Sequence, residues 1–274
     1  MTTAAPATRF DGAFAARASR AVPAVIPYFT AGYPRRDVTS ALLLAAQSAG
    51  CVAVEVGIPF SDPLADGPTV QQTGWTALQQ GMTLPLALEQ VRDARAAGLR
   101  IPVAVMTYFN PVLSLGVEEF AHRAAGHGVD GVIVPDLPAD EAGELRTALH
   151  RAGLALIPLV APTTPPERIA RIVDTASGFI YCVGVTGVTG VRETIADEAL
   201  ELLDTVGGLT PIPRALGFGI SKRAHLLQLQ GHAEAAAIGS ALLQAIGRAS
   251  EHDPADVAAA FLRSVSEGPA PEPV

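Results

Sequence analysis

The residues best suited to chemistry lie in one stretch, VAVEVGIPFSDPLADGP, from Val52 to Pro68. Its first half is apolar and β-branched and reads as a buried strand with one carboxylate, Glu55, inside it. Gly, Pro, Ser and Asp crowd the second half, which must be a loop, and it carries Asp62 and Asp66. A carboxyl among apolar neighbours is held neutral to higher pH and can give or take a proton near neutrality. Alternation places Glu55 on one side with Ala53 and Gly57, small neighbours that leave room for a ligand. Glu55 is therefore the candidate general acid or base, against the plainer reading of a rim glutamate bonded to backbone. Asp66 can approach the same ligand from another side, or merely shape the turn before Gly67-Pro68. Asp62, before Pro63, has the same turn-forming alternative.

A second group of residues suits an anion. Gly219 lies in GFGIS (217–221) and Gly239-Ser240 in IGSAL (238–242), each between a strand run and a helix run. Helix N-termini offer free N–H groups and a favourable dipole, so a small phosphorylated metabolite is the expected ligand. The Gly-rich run Gly184–Gly190 adds backbone that can approach a ligand closely. Tyr181 stands near a strand end and can bond a polar group, while Tyr28, Phe29, Met106 and Tyr108 offer an apolar wall for a flat ligand portion or simply core packing.

These positions need a scaffold that brings strand ends together. Strand runs at 24–29, 52–56, 101–106, 131–136, 155–160, 179–183, about 214–218 and 235–238 alternate with helix runs. The helices read as 10–18, 37–48, 70–80, 84–97, 117–125, 140–152, 165–175, 195–206 and 221–230, then helix to about 267, with 107–111 closing a strand as a loop. Eight such units in 274 residues fit an α/β fold of the (β/α)8 TIM-barrel type, one domain over 1–274 with flexible ends at about 1–7 and 268–274. An open doubly wound sheet would call for a GxGxxG after an early strand, and none is there. In a barrel of this kind, function sits at the C-terminal ends of the strands, where every candidate above falls.

The bulk properties agree. Hydrophobic residues make up 49% of the chain and mean hydropathy is +0.32, enough for a large core. A net charge of −8 with no basic run argues against nucleic acid and anionic membranes. The two cysteines, Cys51 and Cys182, lie in or beside apolar runs and are expected to pack, and the six histidines form no HxH or HExxH, so no catalytic metal is expected. With no membrane-length apolar run and no secretory leader, the chain is expected to be soluble and cytoplasmic.

Several segments together resemble one family, the α subunit of tryptophan synthase. They are PYFTAGYP (27–34), VEVGIPFSDPLADGPTVQ (54–71), MTYFNPVLSLG (106–116), PDLPADE (135–141), GVTGVR (187–192), GFGIS and IGSAL, in family order over roughly 20 to 265. The resemblance implies a TIM barrel that cleaves indole-3-glycerol phosphate to indole and glyceraldehyde 3-phosphate by a retro-aldol reaction. It implies that Glu55 protonates indole C3, that Asp66 faces the indole N–H, and that Tyr181 is the active-site tyrosine. Gly190, Gly219, Gly239 and Ser240 would contact phosphate, and Thr189 would help the loop at 184–190 close and would order Asp66. A pyridoxal-phosphate β subunit is the implied partner, in an αββα assembly, with Asp62, Asn110 and Pro111 facing it and no cofactor in this chain. An activator subunit with little activity of its own, and a stand-alone lyase releasing free indole, remain the alternatives. The approach to the last strand, Gly231–Ala235, departs from the family pattern and leaves that strand's start open.

Overall fold

The computed structural model describes residues 8–20, 22–184, 194–217, 219–248 and 251–268. Its strands are β1 (Ala24–Thr30), β2 (Val54–Gly57), β3 (Val103–Met106), β4 (Gly131–Ile133), β5 (Ala155–Leu156), β6 (Leu159–Val160), β7 (Ile180–Val183), β8 (Arg214–Gly217) and β9 (Ala235–Ile238). All neighbours pair in parallel, in the order β5-β4-β3-β2-β1-β9-β8-β7-β6.

The two ends of that order, β5 and β6, belong to one extended segment, so the chain itself joins them and the sheet closes into an eight-stave barrel. The single strand expected over 155–160 is thus two pieces. Pro158 explains the break, because it has no N–H to give a neighbour. The Ile157 N–H still donates to Val132 on one side (2.9 Å), and the Pro158 carbonyl accepts from the Tyr181 N–H on the other (3.0 Å).

Side chains alternate as the pleat requires. Ala24, Ile26, Ala53, Ala104, Ala155, Ala215 and Ala235 point into the barrel, which is narrow enough to favour alanine. Val25, Phe29, Val54, Val56, Val103 and Val105 point outward against the helices. Those helices are α1 (Arg9–Ala15), α2 (Thr39–Ser48), α3 (Pro68–Gln79), α4 (Leu84–Ala96), α5 (Phe109–Leu115), α6 (Val117–Gly126), α7 (Gly143–Arg151), α8 (Pro166–Val173), α9 (Asp197–Leu209), α10 (Arg223–Gln228), α11 (Ser240–Arg248) and α12 (Pro254–Glu267). α5 occupies part of the stretch expected to be loop. Pro111 sits in its first turn, where a missing N–H costs nothing, so the Asn-Pro pair starts a helix rather than stopping one. α10 is shorter than the run 221–230, because Ser221 and Lys222 stay outside it, with Lys222 extended.

The N-terminal end of the barrel is sealed. Phe10 and Phe14 of α1 pack against Phe179, the first edge-on and the second tilted, with ring centroids 5.5 and 6.1 Å apart. Beside them Asp130 accepts from the Val103 N–H (2.8 Å) and from Arg95 (2.5 Å), and Arg95 also donates to the Gly128, Leu99 and Ile101 carbonyls. Arg214 pairs with Glu234 at the entry to β9, which begins at Ala235 as the apolar run indicates, despite the unusual approach. The opposite mouth is left for chemistry.

Candidate active site

Glu55 occupies the inward side of β2, paired in register with Tyr28 of β1 and Ala104 of β3. It is fully buried, and neither carboxylate oxygen has a hydrogen-bond partner among the described residues. Burial alone pushes its carboxyl up to about 8. An unpaired polar group is costly in a core, and Asp130, the other buried acid among the described residues, has its hydrogen-bond partners.

Two tyrosines flank it. The Tyr28 ring lies over Gly57, where a Cβ would run into its hydroxyl, and the Tyr181 ring lies over Gly217 in the same way. Each glycine is thus small so that a phenol can lie across the mouth. Tyr28 also touches the other side, its Cβ 3.5 Å from where a side chain at Gly239 would begin. Burial raises both phenols, and Glu55 and Asp66 add to the effect on each, which puts the two carboxylates and two phenols in one cluster.

Asp66 reaches that cluster from the loop after β2. Burial pushes its carboxyl up to about 6, and a hydrogen bond from Tyr108 works against the rise. The Tyr108 hydroxyl also accepts from the Ala65 N–H at 2.9 Å, and its ring packs on Phe60 with centroids 5.2 Å apart. Tyr108 is therefore less an apolar wall than a polar tie on the acidic loop. Met106 does line the barrel interior, half-buried beside the cluster. Gln71 adds a bond to the Asp66 carbonyl (2.9 Å).

Asp62 stands apart. It is exposed and accepts from the Ser61 hydroxyl at 2.5 Å, next to Leu64, which is 94% exposed. Asn110 is exposed in the first turn of α5 with Pro111 after it, and α5 begins where the Phe109 N–H donates to Asp136 at 2.9 Å. A groove of about 420 Å³ runs beside Asp62, lined by Phe60, Pro63 and Trp75. A second cavity of about 350 Å³ lies between α7 and α8 and contains neither Glu55 nor Asp66.

At the expected phosphate end, Gly239 follows β9 and Ser240 is the first residue of α11, as the sequence indicates. Gly219 differs from expectation. It has a φ of +81° and lies in a turn, and α10 starts only at Arg223, so Gly219 does not open a helix. Thr189 and Gly190 lie outside the described residues. Sequence reading missed Thr30, Thr73 and the polar role of Tyr108, since each acts through a partner more than forty residues away along the chain. Among the described residues no group of three or more His, Cys, Asp or Glu could hold a metal ion, and no helix is long and apolar enough to cross a membrane.

A profile of the family described as "Tryptophan synthase alpha chain" matches residues 14–267. The chain belongs to the tryptophan synthase alpha chain family. It is 44% identical over 239 residues to the Carboxydothermus hydrogenoformans tryptophan synthase alpha chain, covering 87% of this chain and 89% of that one. It is 42% identical over 257 residues to that of Chloroflexus aggregans, covering 94% and 96%. Among solved structures it is similar to Mycobacterium tuberculosis tryptophan synthase, with a TM-score of 0.87 at 35% identity over 96% of this chain and 98% of that one. It also matches a Pyrococcus furiosus structure described as the tryptophan synthase α2β2 complex, with a TM-score of 0.84 at 37% identity over 89% and 98%. As a member of that family it is a lyase that cleaves indole-3-glycerol phosphate by a retro-aldol reaction.

Proposed function

We propose that Glu55 and Asp66 carry this cleavage in a single barrel domain. The observation that supports it is Glu55 itself: fully buried at a barrel mouth, unpaired, and with its carboxyl pushed up to about 8, so that it holds a proton at neutral pH. The bond between indole C3 and the glycerol chain breaks only after C3 is protonated. Glu55 delivers that proton, and the positive charge that spreads to the ring nitrogen is met by the Asp66 carboxylate. The glycerol hydroxyl on the carbon attached to C3 then loses its proton to the Glu55 carboxylate as the C–C bond breaks. Its electrons return to the ring, giving indole and an aldehyde, glyceraldehyde 3-phosphate. Glu55 ends the cycle protonated, so protons balance without a cofactor step in this chain.

In this reading Tyr28, Tyr181 and Met106 border the indole, and Tyr108 holds Asp66 toward it. The Gly239-Ser240 start of α11 and the Gly219 backbone take the phosphate, together with Gly190, while Thr189 orders Asp66. Asp62, Asn110 and Pro111 face the β subunit in an αββα assembly, and the pyridoxal phosphate belongs to that partner. The assembly works in the cytoplasm. The experiment is to follow indole release from indole-3-glycerol phosphate by the purified chain, with and without a β subunit. Turnover that the β subunit stimulates supports the paired lyase, and no turnover in either case overturns it.

A further inference from the structure

β1 ends at Thr30, which pairs in register with Gly57, the last residue of β2. From Gly57 the chain leaves the barrel as the segment 58–67, which carries Asp66, and returns as α3. The second turn of α3 brings Thr73 back to Thr30, with the two hydroxyl oxygens 2.7 Å apart and both residues buried. Thr73 also donates to the Val70 carbonyl at 3.0 Å. Thr73 thus links the Thr30 hydroxyl to the Val70 carbonyl, in the order Thr30, Thr73, Val70. One buried, directional bond joins β1, a stave paired on both sides, to the helix that follows Asp66.

A pair of buried methyl groups would fill this space without desolvating two hydroxyls, so what the hydroxyls add is geometry. Other ties hold the loop elsewhere: Tyr108 on the Asp66 carboxylate and the Ala65 N–H, Gln71 on the Asp66 carbonyl, and the Met106 carbonyl on the Ile58 N–H. None of these sets where α3 begins. The first turn of α3 is also bound at its far side, where Gln244 of α11 donates to the Thr69 hydroxyl at 3.0 Å.

We infer that the Thr30–Thr73 pair is a positioning device for Asp66, setting the start of α3 against β2 and hence where the Asp66 carboxylate stands relative to Glu55. The inference rests on the role proposed for Asp66. Thr73→Val and Thr73→Ser test it in the complex with a β subunit, by steady-state cleavage of indole-3-glycerol phosphate. Thr73→Val is expected to lower kcat about tenfold, as misplacement of a reacting group does. Its KM stays within about twofold, because ground-state binding is untouched. Thr73→Ser, which keeps the hydroxyl, is expected to retain most of the wild-type kcat. On an Asp66→Asn background, Thr73→Val is expected to change the residual rate hardly at all, since the group it positions is gone.

Wild-type kcat in Thr73→Val, an equally slow Thr73→Ser, or a full loss repeated on the Asp66→Asn background would each overturn the inference. If valine prevents folding, as judged by circular dichroism, Thr73→Ala takes its place with the same expected and contrary results. Wild-type turnover in Asp66→Asn alone would instead remove the role of Asp66, a failure distinct from that of the threonine pair.

Discussion

Tyr28 and Glu55 face one another across the β1–β2 pair, and the Tyr28 ring fills the space that a side chain at Gly57 would take. The pair is stable only because Gly57 has no Cβ. Gly57→Ala is therefore expected to push Tyr28 out of place at a cost of about 1–3 kcal/mol, the usual range for overpacking a tight core. Urea unfolding of the variant measures this, and an unchanged midpoint would mean that Tyr28 has another place to go.

The Tyr108 hydroxyl gives a matching prediction for pH. Its hydrogen bond favours the Asp66 carboxylate and holds down a rise that burial drives, leaving the carboxyl at about 6. Tyr108→Phe removes that bond, and the Asp66 carboxyl then rises further. In the proposed mechanism Asp66 works as an anion, so the acid limb of the kcat/KM profile should move to higher pH, with a larger rate loss at pH 6 than at pH 8. An acid limb that stays in place would separate Tyr108 from Asp66.

At the sealed end, Asp130 and Arg95 are both largely buried, with side-chain exposures of 9% and 13%. Burial pushes the Asp130 carboxyl up and the Arg95 guanidinium down, so desolvation weighs on both partners despite their contact. Asp130→Ala leaves Arg95 buried without its counter-charge and strips the Val103 N–H of its acceptor. A loss of about 3–5 kcal/mol is expected by denaturant titration. Activity per folded molecule should survive, because this network lies at the end of the barrel opposite the mouth.

Much of this architecture was legible in the chain, for a physical reason. Outward and inward residues alternate along the staves, with Val out and Ala in around β2 and β3, and that parity alone places Glu55 on the inside with Ala53 and Gly57. The break at Pro158 was not legible. The run 155–160 is apolar throughout, and which neighbour each half bonds to is a property of the closed barrel. α5 was hidden because Asn-Pro reads as a turn when nothing shows that Pro111 falls in a first helical turn. Gly219 reads as a helix opener until its positive φ shows a turn of its own. The Thr30–Thr73 bond and the hold of Tyr108 on Asp66 join residues far apart in the chain, so no local pattern carries them.

Glu55 also ties stability to pH. Its carboxyl is raised in the folded chain to about 8 from an ordinary value of 4.5, so the folded state binds the extra proton. That contribution is full below the unfolded value and is lost as pH rises through about 8. The wild-type melting temperature should therefore fall between about pH 5 and pH 8 more steeply than that of Glu55→Gln, and the difference in slope should fade above pH 8. Parallel curves would mean that Glu55 ionises in the fold as easily as in the unfolded chain.

Glu55→Gln also tests the central claim most directly. Glutamine keeps the size of the side chain and removes the transferable proton. Indole release, assayed with the β subunit present, is predicted to drop by at least about 10²–10⁴-fold, the range for loss of a general acid. Binding of indole-3-glycerol phosphate should be retained. Turnover by Glu55→Gln near the wild-type rate would contradict the account.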